Sequence, residues 1–323
     1  RDRIEKDTII ELKTTDESGW IHFIADLPIR AKYYLKEIYA PDGYVRATET
    51  QEFTFEYQGD KTTQAVYEFT FEDVQTSVEL SKADLTDGKE LPGASLQVLD
   101  STGTVVEEWI STEEPHMIRG LLVGETYILV ETKPADGYTT AESIEFKVED
   151  TAEVQKHQML DDVTKVEISK TDMTDSKEVP GAKLTILDKD GKVVESWVSD
   201  KDPHMVEKLP VGTYTLREEQ APDGYLIAEE VSFEVKDTGE IQKAEMKDAR
   251  PVGKLVLKKT DAEDGSPLAG AEFELRIKKS GKAVATLVTD EDGVATSGDI
   301  PIATYKDGKM KKEIEYILVE TKA

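Results

Sequence analysis

Val78-Glu79-Leu80-Ser81-Lys82-Ala83-Asp84-Leu85-Thr86-Asp87-Gly88-Lys89-Glu90-Leu91-Pro92-Gly93-Ala94 returns 88 positions later as Val166-Glu167-Ile168-Ser169-Lys170-Thr171-Asp172-Met173-Thr174-Asp175-Ser176-Lys177-Glu178-Val179-Pro180-Gly181-Ala182. A third copy opens with Leu255-Val256-Leu257-Lys258-Lys259-Thr260-Asp261 and closes with Leu268-Ala269-Gly270-Ala271. Self-similarity at a fixed spacing means one structural unit used repeatedly. Val78, Leu80 and Lys82 alternate with Glu79 and Ser81, as Val166, Ile168 and Lys170 do with Glu167 and Ser169. That two-residue period belongs to a half-buried strand. Leu96/Val98, Leu184/Ile186, Ile144 to Val148 and Val231 to Val235 continue it, and Ser101-Thr102-Gly103 and Lys189-Asp190-Gly191 supply turns. About seven strands per unit, with no helical period, predict an all-β chain of tandem antiparallel β-sandwiches.

Two further landmarks divide the chain. Leu129-Val130-Glu131-Thr132-Lys133-Pro134-Ala135-Asp136-Gly137-Tyr138 matches Leu216-Arg217-Glu218-Glu219-Gln220-Ala221-Pro222-Asp223-Gly224-Tyr225, Leu35-Lys36-Glu37-Ile38-Tyr39-Ala40-Pro41-Asp42-Gly43-Tyr44, and the closing Leu318-Val319-Glu320-Thr321-Lys322-Ala323. Each unit ends on Phe71-Glu72-Asp73, Met159-Leu160-Asp161 or Met246-Lys247-Asp248. The expected modules are 1–75, lacking its start; 76–163 and 164–250, complete; and 251–323, lacking its end. The links are very short, which favours a semi-rigid rod over freely jointed beads. Arg1-Asp2-Arg3-Ile4 is neither a signal peptide nor an initiator methionine, and Val319 to Ala323 stops within a strand-and-turn pattern. A longer parent chain, with secretion and anchoring signals outside these residues, is expected.

Composition narrows the function. No cysteine occurs among the 323 residues, which excludes disulfides, thiolate metal sites and thiol catalysis. A formal net charge of −28 repels nucleic-acid phosphates and anionic membranes, so no nucleic-acid partner is expected. No apolar run reaches membrane-spanning length, so no membrane insertion is expected within these residues. No phosphate loop, nucleophile elbow or zinc motif is present.

Strand parity puts Lys82 and Lys170 on the face of Val78/Leu80 and Val166/Ile168, Glu131 and Glu218 on that of Leu129 and Leu216, and Asp161 and Asp248 on that of Met159 and Met246. Each complete module thus sends one Lys, one Glu and one Asp inward, which is costly for unpaired charges. Taken singly, such residues are a buried ion network or snorkelling side chains; their recurrence in register points to a specific chemistry.

The motifs Ser-Lys-x-Asp, Glu-Thr-Lys-Pro-Ala-Asp-Gly-Tyr or Glu-Glu-Gln-Ala-Pro-Asp-Gly-Tyr, and Met-x-Asp, with Leu209-Pro210-Val211-Gly212-Thr213-Tyr214-Thr215-Leu216-Arg217-Glu218 between them, resemble the B-type repeats of Gram-positive collagen adhesins and the related SpaA-like major-pilin domains. The resemblance covers nearly the whole chain and implies a prealbumin-like, reverse immunoglobulin-like sandwich. It also implies that a first-strand Lys condenses with a last-strand Asn or Asp while a Glu assists. Carried over by position, this gives Lys82–Asp161 with Glu131 and Lys170–Asp248 with Glu218. The first module retains Glu37 and Asp73, its Lys expected before residue 1; the last retains Lys259 and Glu320, its acceptor expected after residue 323. The acceptor here is Asp, so water leaves rather than ammonia.

Amide formation needs a neutral amine and a neutral acid, which coexist in water at pH 7 on the order of 10⁻⁶ to 10⁻⁷ of the time, roughly 9 kcal/mol uphill. Burial moves both pKa values the required way. The Glu can shuttle a proton and the fold supplies proximity. Each site would react once, on itself, so no turnover enzyme is expected, and no cofactor is implied.

Asp84-Leu85-Thr86-Asp87-Gly88 and Asp261-Ala262-Glu263-Asp264-Gly265 hint at calcium loops but lack the remaining ligands, so turns are expected and no metal site. His22, His116 and His204 recur singly and read as structural, and Trp109 and Trp197 as core or strand-edge residues. The implied function is a structural stalk or pilin-like shaft at the extracellular cell wall of a Gram-positive bacterium. Its implied partners are host extracellular matrix or cell surface, through a region outside these residues, and peptidoglycan, through a C-terminal anchor. Modules that themselves grip a host ligand are the alternative; an accessory region of an enzyme is a third.

Overall fold

The computed structural model describes residues 5–59, 61 and 64–323. The opening Arg1 to Ile4, read above as the cut start of a longer chain, lies outside the described residues. No helix occurs among the described residues, and none is therefore long and apolar enough to cross a membrane.

The second module has seven strands: Ser77–Asp84, Ser95–Leu99, Val105–Ile110, His116–Arg119, Thr126–Lys133, Ile144–Lys147 and Gln155–Asp161. They form a four-stranded sheet in the order sixth, fifth, second, third, and a three-stranded sheet in the order seventh, first, fourth. The third module repeats both sheets with Lys165–Asp172, Lys183–Leu187, Val193–Val198, His204–Glu207, Gly212–Gln220, Val231–Val235 and Ile241–Asp248. Inward side chains fill the space between the sheets: Val78, Leu80, Leu96, Val98, Leu129, Phe146 and Met159 in one module, Val166, Ile168, Leu184, Ile186, Leu216 and Met246 in the next. Burying such side chains stabilises by about 1.5–3 kcal/mol each.

One pairing in each sandwich departs from the antiparallel rule. The last strand runs parallel to the first, Met159 lying beside Lys82 and Asp161 beside Asp84, as Met246 lies beside Lys170 and Asp248 beside Asp172. Alternation of apolar and polar residues has the same period in both kinds of pairing, so it carries no information on strand direction.

The outer modules are sparser. In the first, Lys32–Lys36 pairs with Thr50–Thr54 around an aromatic cluster in which Phe53 lies 5.4 Å from Phe55 and 5.2 Å from Phe69. No described residue from 64 to 73 is in a strand, and none has a first strand beside it as the last strands of the middle modules do. In the fourth, Glu272–Ile277 lies between Ala283–Val288 and Tyr316–Lys322, while Val256–Lys258 pairs with Val294–Thr296 alone.

Candidate functional site

Lys82 and Lys170 are the largest fully buried side chains of the molecule, each 2% exposed. An unpaired ammonium at such a depth is prohibitive. Each is met by two carboxyl groups. Lys82 Nζ contacts Asp161 Oδ1 and lies 2.9 Å from Glu131 Oε1; Lys170 Nζ contacts Asp248 Oδ1 and lies 3.2 Å from Glu218 Oε1. The six residues placed inward by strand parity therefore converge as two three-membered sites.

The parallel pairing delivers the acid. Asp161 sits two residues beyond Met159, on the same face as Lys82, so the extended lysine reaches it along the sheet. The Glu comes from the opposite sheet, where a bulge re-aims its strand. Ser95 pairs with Lys133 but Leu96 with Glu131, leaving Thr132 extra; Lys183 and Leu184 skip Glu219, and Glu272 and Phe273 skip Thr321. A bulge beside the same residue in three modules is a positional device. A backbone amide then fixes the carboxylate: Ala141 N–H donates to Glu131 Oε2 and Ala228 N–H to Glu218 Oε2, both at 2.7 Å, and Ala47 N–H to Glu37 Oε2 at 2.6 Å.

Burial pushes the Asp161 carboxyl up to about 7, Lys82 opposing the rise and Glu131 adding to it. Burial likewise pushes Asp248 up to about 6, against Lys170 and with Glu218. Asp161 Oδ2 and Asp248 Oδ2 are buried without a hydrogen-bond partner, while Glu131 Oε1 and Glu218 Oε1 have the lysine Nζ as ion-pair partner. Burial thus moves each Asp toward its neutral form beside a Lys, with a Glu placed to take the ammonium proton.

The outer sites hold parts of this set. Glu37 and Asp73 are brought together, and burial, with Asp73 charge, raises the Glu37 pKa. Lys259 Nζ donates to Glu320 Oε2 at 3.0 Å, with side chains 29% and 33% exposed, so this pair lacks the dry surroundings of the middle modules.

Sequence reading missed a second ring of residues. Glu90 and Glu178 accept the backbone N–H groups of Lys82 at 3.2 Å and Lys170 at 3.0 Å, tying down the strand at the amine. Asp84, weighed above within a calcium-loop hint, and Asp172 cap turns by accepting the N–H of Thr86 and Thr174 at 2.7 Å. Tyr138 Oη donates to Asp84 at 2.6 Å and Tyr225 Oη to Asp172 at 2.8 Å. The 87–88-residue recurrence of Asp and Tyr was the available signal. No group of three or more possible metal ligands occurs among the described residues. His116 stacks on Trp109 at 4.3 Å and pairs with Glu107 at 2.6 Å; His204, Trp197 and Glu195 repeat this at 4.4 and 2.6 Å.

A row of prealbumin-like sandwiches, with a buried Lys–Glu–Asp set in each complete one, defines a tandem array of one domain type. The family model of the SpaA prealbumin-like fold domain matches residues 3–68, 76–162, 164–250 and 253–323, and the chain belongs to that family. Among solved structures it is similar to the Bacillus anthracis TIE protein, with 24% identity and a TM-score of 0.40, covering 85% of this chain and 52% of that one. The chain thus spans about half the length of that protein. It is also similar to BcpA, the major pilin subunit of Bacillus cereus, with 19% identity and a TM-score of 0.31 over 76% of this chain and 95% of that one. The shaft pilin SpaA of Lactobacillus rhamnosus GG matches with 14% identity and a TM-score of 0.29 over 55% and 97%. Comparison with curated protein sequences gives no match.

Proposed function

We propose that the chain is part of the structural shaft of a Gram-positive cell-wall-anchored adhesin or pilin, whose two complete modules each close an intramolecular amide, Lys82–Asp161 and Lys170–Asp248. The observation that carries this reading is the burial of the same Lys–Glu–Asp set, in the same arrangement, between the first and last strands of both modules. The absence of asparagine from the whole sequence leaves aspartate as the acceptor within the chain.

In the proposed step Glu131 takes a proton from the Lys82 ammonium. The neutral Nζ attacks Asp161 Cγ, and an N–C bond forms. The C–OH bond breaks as Glu131 returns its proton to the departing hydroxyl, which leaves as water; the second nitrogen proton passes to solvent. No electron is transferred. Lys170, Asp248 and Glu218 act alike.

The bonded residues lie 79 and 78 positions apart. If loop closure governs as in a disulfide, each clamp stabilises by about 4–5 kcal/mol. Because the joined strands are the first and the last, tension crosses the amide and bypasses the enclosed chain. Pulling single molecules by their ends tests this. The middle modules are expected to give no release of roughly 25 nm each, the contour of the enclosed loop. Two such releases contradict the proposal.

A further inference from the structure

Lys208 has a backbone φ of 63°, in the left-handed region that side chains other than glycine rarely adopt. The matching residue one module earlier is Gly120, with φ 77°. Lys208 therefore occupies a glycine position, and its side chain shows what is gained. It crosses into the preceding module, where Nζ lies 2.6 Å from Tyr138 Oη and 3.2 Å from Asp84 Oδ2, and 4.9 Å above the Tyr138 ring. Asp84 is 6% exposed. Against the burial that would raise its pKa, hydrogen bonds from Tyr138, Thr86 and Lys208 hold this carboxyl ionised, well below the usual range.

The next Asp–Tyr pair is filled in the same way. Arg250, just beyond the last strand of the third module, donates from Nε to Tyr225 Oη at 2.6 Å, pairs with Asp172 and lies 4.8 Å over the Tyr225 ring. Around Lys208 the joint is a backbone zipper. Thr164 N–H donates to Gly137 O at 3.0 Å, its hydroxyl to Leu209 O at 2.6 Å, and Lys208 N–H to Thr164 O at 3.0 Å. Thr140 binds Asp237 across the same joint through backbone N–H and hydroxyl, at 2.8 and 2.6 Å. Thr76, Gly43, Leu121 and Gly120 repeat the zipper one joint earlier, but Gly120 has no side chain to send back.

We infer that the buried Asp–Tyr pair at the end of a module is a socket for a cation delivered by the chain that follows, and that Lys208 in the Asp84–Tyr138 socket latches the second and third modules in one relative orientation. The stiffness of the rod is then set joint by joint, by what occupies the socket. Lys208 is itself 52% exposed, so salt competes for the latch.

With no native cysteine, Ser101→Cys and Lys189→Cys, at exposed turns of the two modules, accept spin labels for distance measurement in the full chain. A narrow distance distribution is expected. It should widen at least twofold in Lys208→Gly, which adopts the backbone already used by Gly120 and so retains the fold, and in 1 M salt with Lys208 present. Salt should add nothing in the variant. A width unchanged by Lys208→Gly overturns the latch, as does a salt response of equal size with and without Lys208.

Discussion

Lys82 and Lys170 would be severe liabilities if they remained free ammonium groups. Each carries two carboxylates into a dry core, and losing one partner of such a group typically costs 3–5 kcal/mol. The proposed amide removes the charge of amine and acid together. Its rate depends on how many protons the three groups hold. With Asp161 protonated, moving the Lys82 proton to Glu131 gives a neutral amine facing a neutral acid; with Asp161 ionised that state is one proton short. The raised carboxyl is occupied below its pKa and empties above it. For unreacted chain, isolated unfolded and diluted into native buffer, closure in the second module should fall about tenfold per unit above about pH 7. Closure in the third module should break near pH 6. The check is mass-resolved water loss against time; rates rising through pH 8 would contradict the assigned roles.

At the scale of the element, the Asp-Gly-Tyr turn is more than a reversal of the chain. A Cβ on Gly137 would stand 2.5 Å from the Lys208 carbonyl oxygen, and its φ of +88° already disfavours a side chain. Gly103 has a similar φ of +83° with nothing within 4 Å. Gly103→Ala should therefore cost about 1–2 kcal/mol of local strain and no more. Gly137→Ala should also wedge the joint, speeding hydrogen exchange of the Thr164 and Lys208 amides at least tenfold while Gly103→Ala leaves them unchanged. Much of the site was legible because burial obeys parity: Lys82, Glu131 and Asp161 share it with Leu80, Leu129 and Met159. Three things were not. Parity is blind to strand direction, so the parallel first–last pairing was hidden. The bulge after Glu131 adds Thr132 without disturbing the local alternation. The Lys208 contact crosses between modules, where no repeat period reports it.

For the whole molecule, the charge of −28 and the lack of cysteine pose one problem: thin sandwiches that repel one another and lack disulfides. Covalent clamps within modules and cationic latches between them are the two proposed responses. The first is proposed only where all three participants meet, in residues 76–163 and 164–250; Glu37/Asp73 and Lys259/Glu320 are partial sets. The intact mass of the folded, purified chain tests this most directly. Two amides remove two waters, so the expected mass is about 36 Da below that of the sequence, and about 18 Da below it in Lys82→Ala relative to that variant's own sequence. A folded chain with the full sequence mass would contradict it.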